Sequence, residues 1–152
     1  TMSSVSPQFL GCFSDNVWAW GELDWSWNYV YKNIRNVTIA IANLPTVPFT
    51  SEDDKNKAIA DARFIRGFSY FLLMAQYGGV VLYNDPVQLG SDYKVPRSTF
   101  EETVNFIVHD LDTAISLYKD ADIASIKTRG DKGLAMAVKA KVLLYAASDL
   151  HN

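Results

Sequence analysis

Residues 61–79, DARFIRGFSYFLLMAQYGG, decide the fold of this chain. Apolar and small side chains recur there at spacings of three and four along two sets of positions, which predicts a helix buried on more than one side. The first set is Ala62, Ile65, Ser69, Leu72 and Gln76, and the second is Phe64, Phe68, Phe71 and Ala75. Such a helix must lie between other helices. Gly78 and Gly79 end it, because glycine reaches the positive φ that lets the last carbonyls find donors.

Three further segments are predicted to be helices, and start signals precede three of the four helices. An apolar stripe at spacings of three and four predicts a helix at about 23–44, which two prolines end. Ser51 precedes three acidic residues and predicts the start of the helix that contains 61–79. Either Ser98 or Thr99, with a glutamate three residues later, has the spacing of a capping box. Asp131 is expected to cap a fourth helix.

The helical segments predict an all-α fold of two or more antiparallel hairpins, with the size and stacking logic of tetratricopeptide-like repeats. We expect one domain over 1–152. Within it, residues 23–77 form the first hairpin and residues 98–148 the second. A connector at 78–97 joins them, and an aromatic loop region occupies 1–22.

Composition excludes several classes of protein. Hydrophobic residues at 49% and charged residues at 20% predict a folded globular chain rather than a disordered one. The net charge of -3 is unlike the basic footprint of a nucleic-acid-binding protein. No apolar run approaches the roughly 18 residues that cross a bilayer. The single cysteine, Cys12, excludes an internal disulfide framework and is interpreted as a free thiol.

The sequence offers weak candidates for catalysis or metal binding. His109 and Asp112 lie three residues apart on one predicted helix, but a metal site usually needs three or four ligands. Glu22 and Asp24 suit the start of a helix better than the facing positions that glycoside hydrolysis requires. No glycine-rich phosphate loop precedes a helix. We therefore expect no catalytic residues, no metal and no cofactor.

Four segments in order resemble the SusD/RagB family of outer-membrane nutrient-binding lipoproteins of Bacteroidetes. They are WSWNYVYKNIRNVTIAIANLP at 25–45, DARFIRGFSYFLLMAQYGGVVLY at 61–83, VPRSTFEETVNFIVHDLDTAI at 95–115 and TRGDKGLAMAVKAKVLLYAASDLHN at 128–152. Departures are small, such as glycine for the usual alanine at Gly67. The chain thus resembles the N-terminal helical-repeat portion of such a protein.

The resemblance implies binding rather than catalysis. Family members are surface-exposed proteins of the cell outer membrane that capture glycans, or peptides in some members, for a SusC-like TonB-dependent transporter. Their helical repeats are mainly scaffold. The cysteine that carries the lipid anchor is expected upstream of Thr1. The alternative is a helical-repeat scaffold that binds only another protein and no small ligand.

The candidate ligand residues lie in the aromatic run before the first helix. Trp18 and Trp20 could stack on the apolar C–H faces of sugar rings, while Asp15 and Asn16 could exchange hydrogen bonds with hydroxyls. The alternative is that these tryptophans pack against the helix and that the two polar residues form a turn. Trp27 and its neighbour Trp25 are expected to pack in the core.

Two arginines within the matching segments are expected to be structural. Arg66 and Arg129 lie among apolar residues, so each guanidinium needs carboxylate or carbonyl partners. We interpret them as links between hairpins, and contact with a ligand is the alternative. Gly78 and Gly79 are likewise assigned to the turn and not to a ligand.

Overall fold

The computed structural model describes residues 21–87, 90, 94–119 and 130–148, with side chains from residue 27 onward. This part of the chain contains four α-helices and no strand, and a short 3-10 turn at Leu44–Thr46 follows the first helix. The helices are α1 Gly21–Asn43, α2 Glu52–Tyr77, α3 Phe100–Leu117 and α4 Lys132–Ala146. The prediction of an all-α fold is confirmed.

Contacts between helix ends show that consecutive helices run antiparallel. The Trp27 ring near the start of α1 packs edge-on against Tyr77 at the end of α2, with centroids 4.9 Å apart. The Tyr118 hydroxyl, just after α3, donates to Asp61 near the start of α2 at 2.7 Å. Helix α2 therefore lies between α1 and α3, and α4 packs against α3 and also reaches α2.

The predicted start signals cap their helices. The Ser51 hydroxyl accepts a hydrogen bond from the Asp54 backbone N–H at 3.1 Å. Thr99, and not Ser98, caps α3 in a capping box with Glu102. The Asp131 carboxylate accepts from the Leu134 N–H at 2.6 Å at the start of α4. These local signals locate the helix starts because each satisfies a backbone donor that the helix itself leaves unpaired.

Replacing Thr99 with alanine should lower the free energy of unfolding by about 1 kcal/mol. The substitution removes the oxygen that accepts from the Glu102 N–H at 3.1 Å and breaks the reciprocal capping box. Chemical denaturation measures the loss. Ser116→Ala, at an exposed position later in α3, is the control and should change the free energy by no more than about 0.5 kcal/mol. Equal effects of the two substitutions would contradict the assignment of the cap.

The prediction that both apolar stripes of α2 are buried is wrong in part. Phe64 and Phe71 are buried, whereas Ile65, Phe68 and Leu72 have exposed fractions of 45%, 38% and 40%. Helices α1 and α3 cover two faces of α2, and α4 reaches it with few residues, so the described helices leave a third face uncovered. Two exposed side chains of α4, Leu144 and Tyr145, border α2, because they line a shallow groove together with Met74 and Ala75.

A buried ionic cluster joins α2 to α3. Both carboxylate oxygens of Asp110 accept from Arg66, whose Nε and Nη2 lie 2.6 and 2.8 Å away. Arg63 donates to the same carboxylate at 2.8 Å. The remaining Arg66 nitrogen, Nη1, donates to the Asn84 carbonyl at 3.1 Å, and the guanidinium lies 4.9 Å from the centre of the Phe106 ring. Arg66 thus contacts α3 and the connector at once.

The connector turns back on itself at the glycine pair. Gly78 has φ of 73° and ψ of -130°, a conformation that residues with a Cβ avoid. Residues 94–99 return alongside this turn, where the Ser98 N–H donates to the Val80 carbonyl at 2.9 Å. Arg97 donates to the Gly79 carbonyl at 2.8 Å. These contacts hold the two ends of the connector together beside the start of α3.

Candidate functional site

A groove of about 480 Å3 lies between α1 and the first half of the connector. We call it the α1–connector groove. Its main side chains are Trp27, Tyr31, Arg35 and Thr38 from α1, with Tyr83 and Asp85 from the connector. The α1 residues share a face because they are spaced by three or four positions.

Aromatic rings form one wall of the groove. The Trp27 and Tyr31 rings are tilted against each other with centroids 4.8 Å apart. The Tyr83 ring meets Tyr31 edge-on with centroids 6.2 Å apart. The Tyr70 ring also meets Tyr31 edge-on, with centroids 6.5 Å apart. Such edge and tilted arrangements are the favourable ones for aromatic pairs, so the wall is stabilised by its own contacts.

Two long-range hydrogen bonds hold the connector against the helices. The Tyr31 hydroxyl donates to the Val81 carbonyl at 2.9 Å, and the Tyr83 N–H donates to the Tyr70 hydroxyl at 2.8 Å. Burial raises the pKa of the Tyr31 hydroxyl well above its usual range. Burial likewise raises the pKa of Tyr70 to about 12. Both hydroxyls therefore keep their protons into the alkaline range, above the pH at which an exposed tyrosine ionises.

The raised pKa values predict a loss of stability at alkaline pH. A tyrosine whose pKa is higher in the folded than in the unfolded protein contributes stability that is complete below about pH 10 and is lost as pH rises toward the folded value. The free energy of unfolding should therefore fall between pH 10 and pH 12. In Tyr70→Phe the fall should be shallower, although this variant starts lower because Tyr83 loses its acceptor. Denaturation at a series of fixed pH values measures how steeply the free energy of unfolding falls in each protein, and Tyr29→Phe is the matched substitution at an exposed tyrosine. An equally steep fall in Tyr70→Phe and wild type would contradict the raised pKa of Tyr70.

The polar side chains of the groove are available for a ligand. Arg35 is exposed and makes no hydrogen bond or ion pair with any described residue. Asp85 is also exposed, and its carboxylate has one long contact of 3.5 Å, with the Asn84 side chain. The Thr38 hydroxyl at the floor is buried and has no partner among the described residues. The groove thus presents a guanidinium and a carboxylate that do not neutralise each other.

Sequence reasoning missed Arg35 and Asp85. The signal available for Arg35 is its spacing: it follows Trp27 and Tyr31 at intervals of four, which places a charged side chain on an otherwise aromatic face of α1. Trp27 was expected to pack, and it does, being half-buried against Tyr31 and Tyr77. Asp85 lies in the connector, about 50 positions after Arg35, and nothing in its local sequence links it to α1.

The predicted ligand residues Asp15, Asn16, Trp18 and Trp20 lie outside the described residues, as does Arg129. Their assigned roles therefore stay predictions. Trp20 immediately precedes Gly21, the first residue of α1.

Within the described ranges, no group of three or more histidine, cysteine, aspartate or glutamate side chains is arranged to hold a metal ion. Asp112, the weak metal candidate beside His109, instead pairs with Lys139 at 2.6 Å. In the same part of the chain, no helix has both the length and the apolar character needed to span a bilayer.

Comparison with known proteins identifies the family. Residues 8–144 match the model of SusD-like proteins, a family described as starch-binding and associating with the outer membrane. The chain belongs to the SusD-like family. The match includes the four predicted ligand residues, all four helices except the last two residues of α4, and the whole connector.

Individual SusD-like relatives agree with this membership. A SusD-like protein of Bacteroides ovatus is 31% identical over 120 residues, which are 79% of this chain and 20% of that protein. The crystal structure of a SusD-like protein from Bacteroides fragilis superposes with a TM-score of 0.75 at 29% identity, covering 80% of this chain and 24% of the other. A third relative, crystallised with a xylogluco-oligosaccharide, has a TM-score of 0.71 at 30% identity over 80% of this chain and 24% of its own. The chain therefore spans about a fifth to a quarter of the length of these relatives.

Proposed function

We propose that this chain belongs to a non-catalytic glycan-binding protein that captures oligosaccharides for import. The observation that carries the proposal is the SusD-like match over residues 8–144, a family described as starch-binding. The relative crystallised with a xylogluco-oligosaccharide, at 30% identity, supports the same ligand class. In this proposal the protein is exposed on the surface of the outer membrane, held there by a lipid anchor, and passes its ligand to a SusC-like TonB-dependent transporter.

Binding without turnover is consistent with the chemistry of the described carboxylates. Glycoside hydrolysis needs two carboxyl groups that face each other across the sugar, one of them able to give up a proton. Asp110, a buried carboxylate, is held by two guanidinium groups and does not line the α1–connector groove. Among the residues that the structure describes, Asp85 is the carboxylate that lines the α1–connector groove. A carboxylate without a partner across the ligand binds hydroxyls but does not cleave the bond between sugars.

We propose that Trp18 and Trp20 stack on sugar rings and that Asp15 and Asn16 exchange hydrogen bonds with sugar hydroxyls. Tryptophan presents a large apolar face with little rotamer entropy to lose, which suits the C–H face of a pyranose. The short polar side chains supply an acceptor and a donor at close range. In the same proposal, Arg129 has a structural role.

Calorimetric titration with malto-oligosaccharides and xyloglucan oligosaccharides tests the proposal. We expect wild-type protein to bind at least one of them, and the double variant Trp18→Ala, Trp20→Ala to bind about tenfold or more weakly. Tyr29→Ala removes an exposed ring of α1 that does not line the groove and should leave the affinity unchanged. No binding by wild type to any oligosaccharide would overturn the glycan proposal.

The exposed face of α2 and α4 favours a second candidate function, contact with another protein or with a peptide. Phe68, Leu72 and Leu144 are large side chains with 38%, 40% and 72% of their surface exposed. Contiguous exposed apolar surface of this kind marks interaction sites. If protein contact were the sole function, wild-type chain would bind none of the oligosaccharides, so the same titration separates the two functions.

A further inference from the structure

We infer that the α1–connector groove is a subsite for one pyranose ring of the captured oligosaccharide. The inference rests on the proposed glycan-binding function, but it assigns a site on residues that the family match and the aromatic run before α1 do not single out. Its ligand class is a neutral sugar, bound by an aromatic wall and by the pair Arg35 and Asp85.

The dimensions and lining of the groove suit a sugar ring. A volume of about 480 Å3 lies within the range of small-molecule sites, which is roughly 300–1,000 Å3. Trp27 and Tyr31 are half-buried, so each ring presents part of its surface to the groove. The C–H face of a pyranose is apolar, and its burial against these rings removes apolar surface from water.

The charges of the groove suit a neutral ligand with many hydroxyl groups. Arg35 lies on α1 and Asp85 on the opposite wall, yet the two form no ion pair. A guanidinium donates in a planar fork, and a carboxylate accepts through two oxygens, so neighbouring sugar hydroxyls can satisfy both. Because the two charges are opposite, they give no net attraction to an anionic or a cationic ligand. A sugar hydroxyl acts as donor and acceptor and therefore suits both groups.

The connector wall is fixed before a ligand arrives. Val81 and Tyr83 are held by hydrogen bonds to Tyr31 and Tyr70, and the Asn84 carbonyl accepts from the buried Arg66. Asp85 follows directly after these three anchored positions. Because this wall is preformed, the connector loses little conformational entropy when the ligand binds. This favours the affinity of an uncharged ligand, which gains no ion pair.

Two conservative substitutions test the subsite by calorimetric titration. Arg35→Gln and Asp85→Asn should each weaken binding of the xyloglucan or malto-oligosaccharide by about tenfold, because hydrogen bonds to charged groups are the stronger ones. Lys32→Gln on the same helix and Glu101→Gln on α3 remove the same charges at exposed positions outside the groove and should leave the affinity unchanged. The melting temperature of Arg35→Gln should equal that of wild type, since Arg35 has no partner to lose among the described residues.

The outcomes separate this inference from the proposed function. In one outcome wild type binds and the double variant Trp18→Ala, Trp20→Ala does not, but Arg35→Gln and Asp85→Asn bind as wild type does. This outcome would overturn the subsite and leave the proposed function in place. If wild type binds no oligosaccharide, both fail. The subsite would also be overturned if Lys32→Gln and Glu101→Gln weakened oligosaccharide binding as much as the groove variants do. Equal weakening would show a general effect of charge.

Chemical labelling tests occupation of the groove directly. Phenylglyoxal modifies accessible arginines, and mass spectrometry locates the product. Arg35 should react in the free protein and should be protected at saturating oligosaccharide, whereas Arg66, with a side chain 1% exposed, should be unreactive in both. An Arg35 that is unreactive without sugar would show that another part of the chain covers the groove, which would overturn the inference. Equal reactivity with and without sugar would do the same.

Discussion

Replacing Asp110 with alanine should lower the free energy of unfolding by about 3–5 kcal/mol, a large part of the stability of an ordinary domain. The side chain of Asp110 is fully buried, and that of Arg66 is 1% exposed. Removing the carboxylate leaves the Arg66 guanidinium in the interior with one carbonyl acceptor, that of Asn84. A buried charge without its counter-ion is among the most costly defects in a folded protein.

Chemical denaturation of Asp110→Ala against Asp112→Ala measures this effect. Asp112 is two positions further along α3 and pairs with Lys139, but 49% of its side chain is exposed. Its removal should cost no more than about 1 kcal/mol because solvent screens an exposed pair. Similar losses in the two variants would contradict the structural role assigned to the cluster of Asp110, Arg63 and Arg66.

The variant Gly79→Ala should be destabilised by about 3 kcal/mol. A Cβ atom at this position would lie 2.2 Å from the Ser98 carbonyl oxygen and 2.9 Å from the Thr99 carbonyl carbon. Both neighbours are backbone atoms, so no side-chain rotation relieves the clash. The returning segment of the connector would have to move away from the turn, together with the N-terminal cap of α3.

Gly133→Ala provides the matched control for Gly79→Ala. It lies in the first turn of α4, where the nearest atom to an added Cβ is an Asp131 oxygen at 3.5 Å, an ordinary contact. This variant should be more stable than wild type by about 0.5–1 kcal/mol, because alanine favours a helix over glycine. If Gly79→Ala were as stable as wild type, the close approach of the two connector segments would be wrong.

The sequence predicted the helix starts well because those signals are local. Ser51, Thr99 and Asp131 each act on a backbone N–H three residues away, so no knowledge of the tertiary fold is needed. The buried faces of α2 were harder to predict. Ile65 and Leu72 belong to a stripe with helical spacing, but which stripe is covered depends on where α1, α3 and α4 lie. Periodicity finds an apolar stripe and does not identify its neighbour.

The site could be predicted only in part for the same reason. The need of Arg66 for a carboxylate was evident from its apolar surroundings, but its partner is 44 positions away in α3. Arg35 and Asp85 come to one groove because the turn at Gly78 and the hydrogen bond of Tyr31 to Val81 fold the connector back on α1. No spacing within one segment contains that information.

The central claim is that glycan binds to the aromatic run before α1 and to the α1–connector groove, while α3 and α4 serve as scaffold. Hydrogen-exchange mass spectrometry of the intact chain, with and without a saturating xyloglucan or malto-oligosaccharide, tests it most directly. We predict slower exchange in residues 15–27 and 81–87 on addition of sugar, with exchange in α3 and α4 unchanged. Slowing confined to α3 and α4, or unchanged exchange throughout the chain with every oligosaccharide, would contradict the claim.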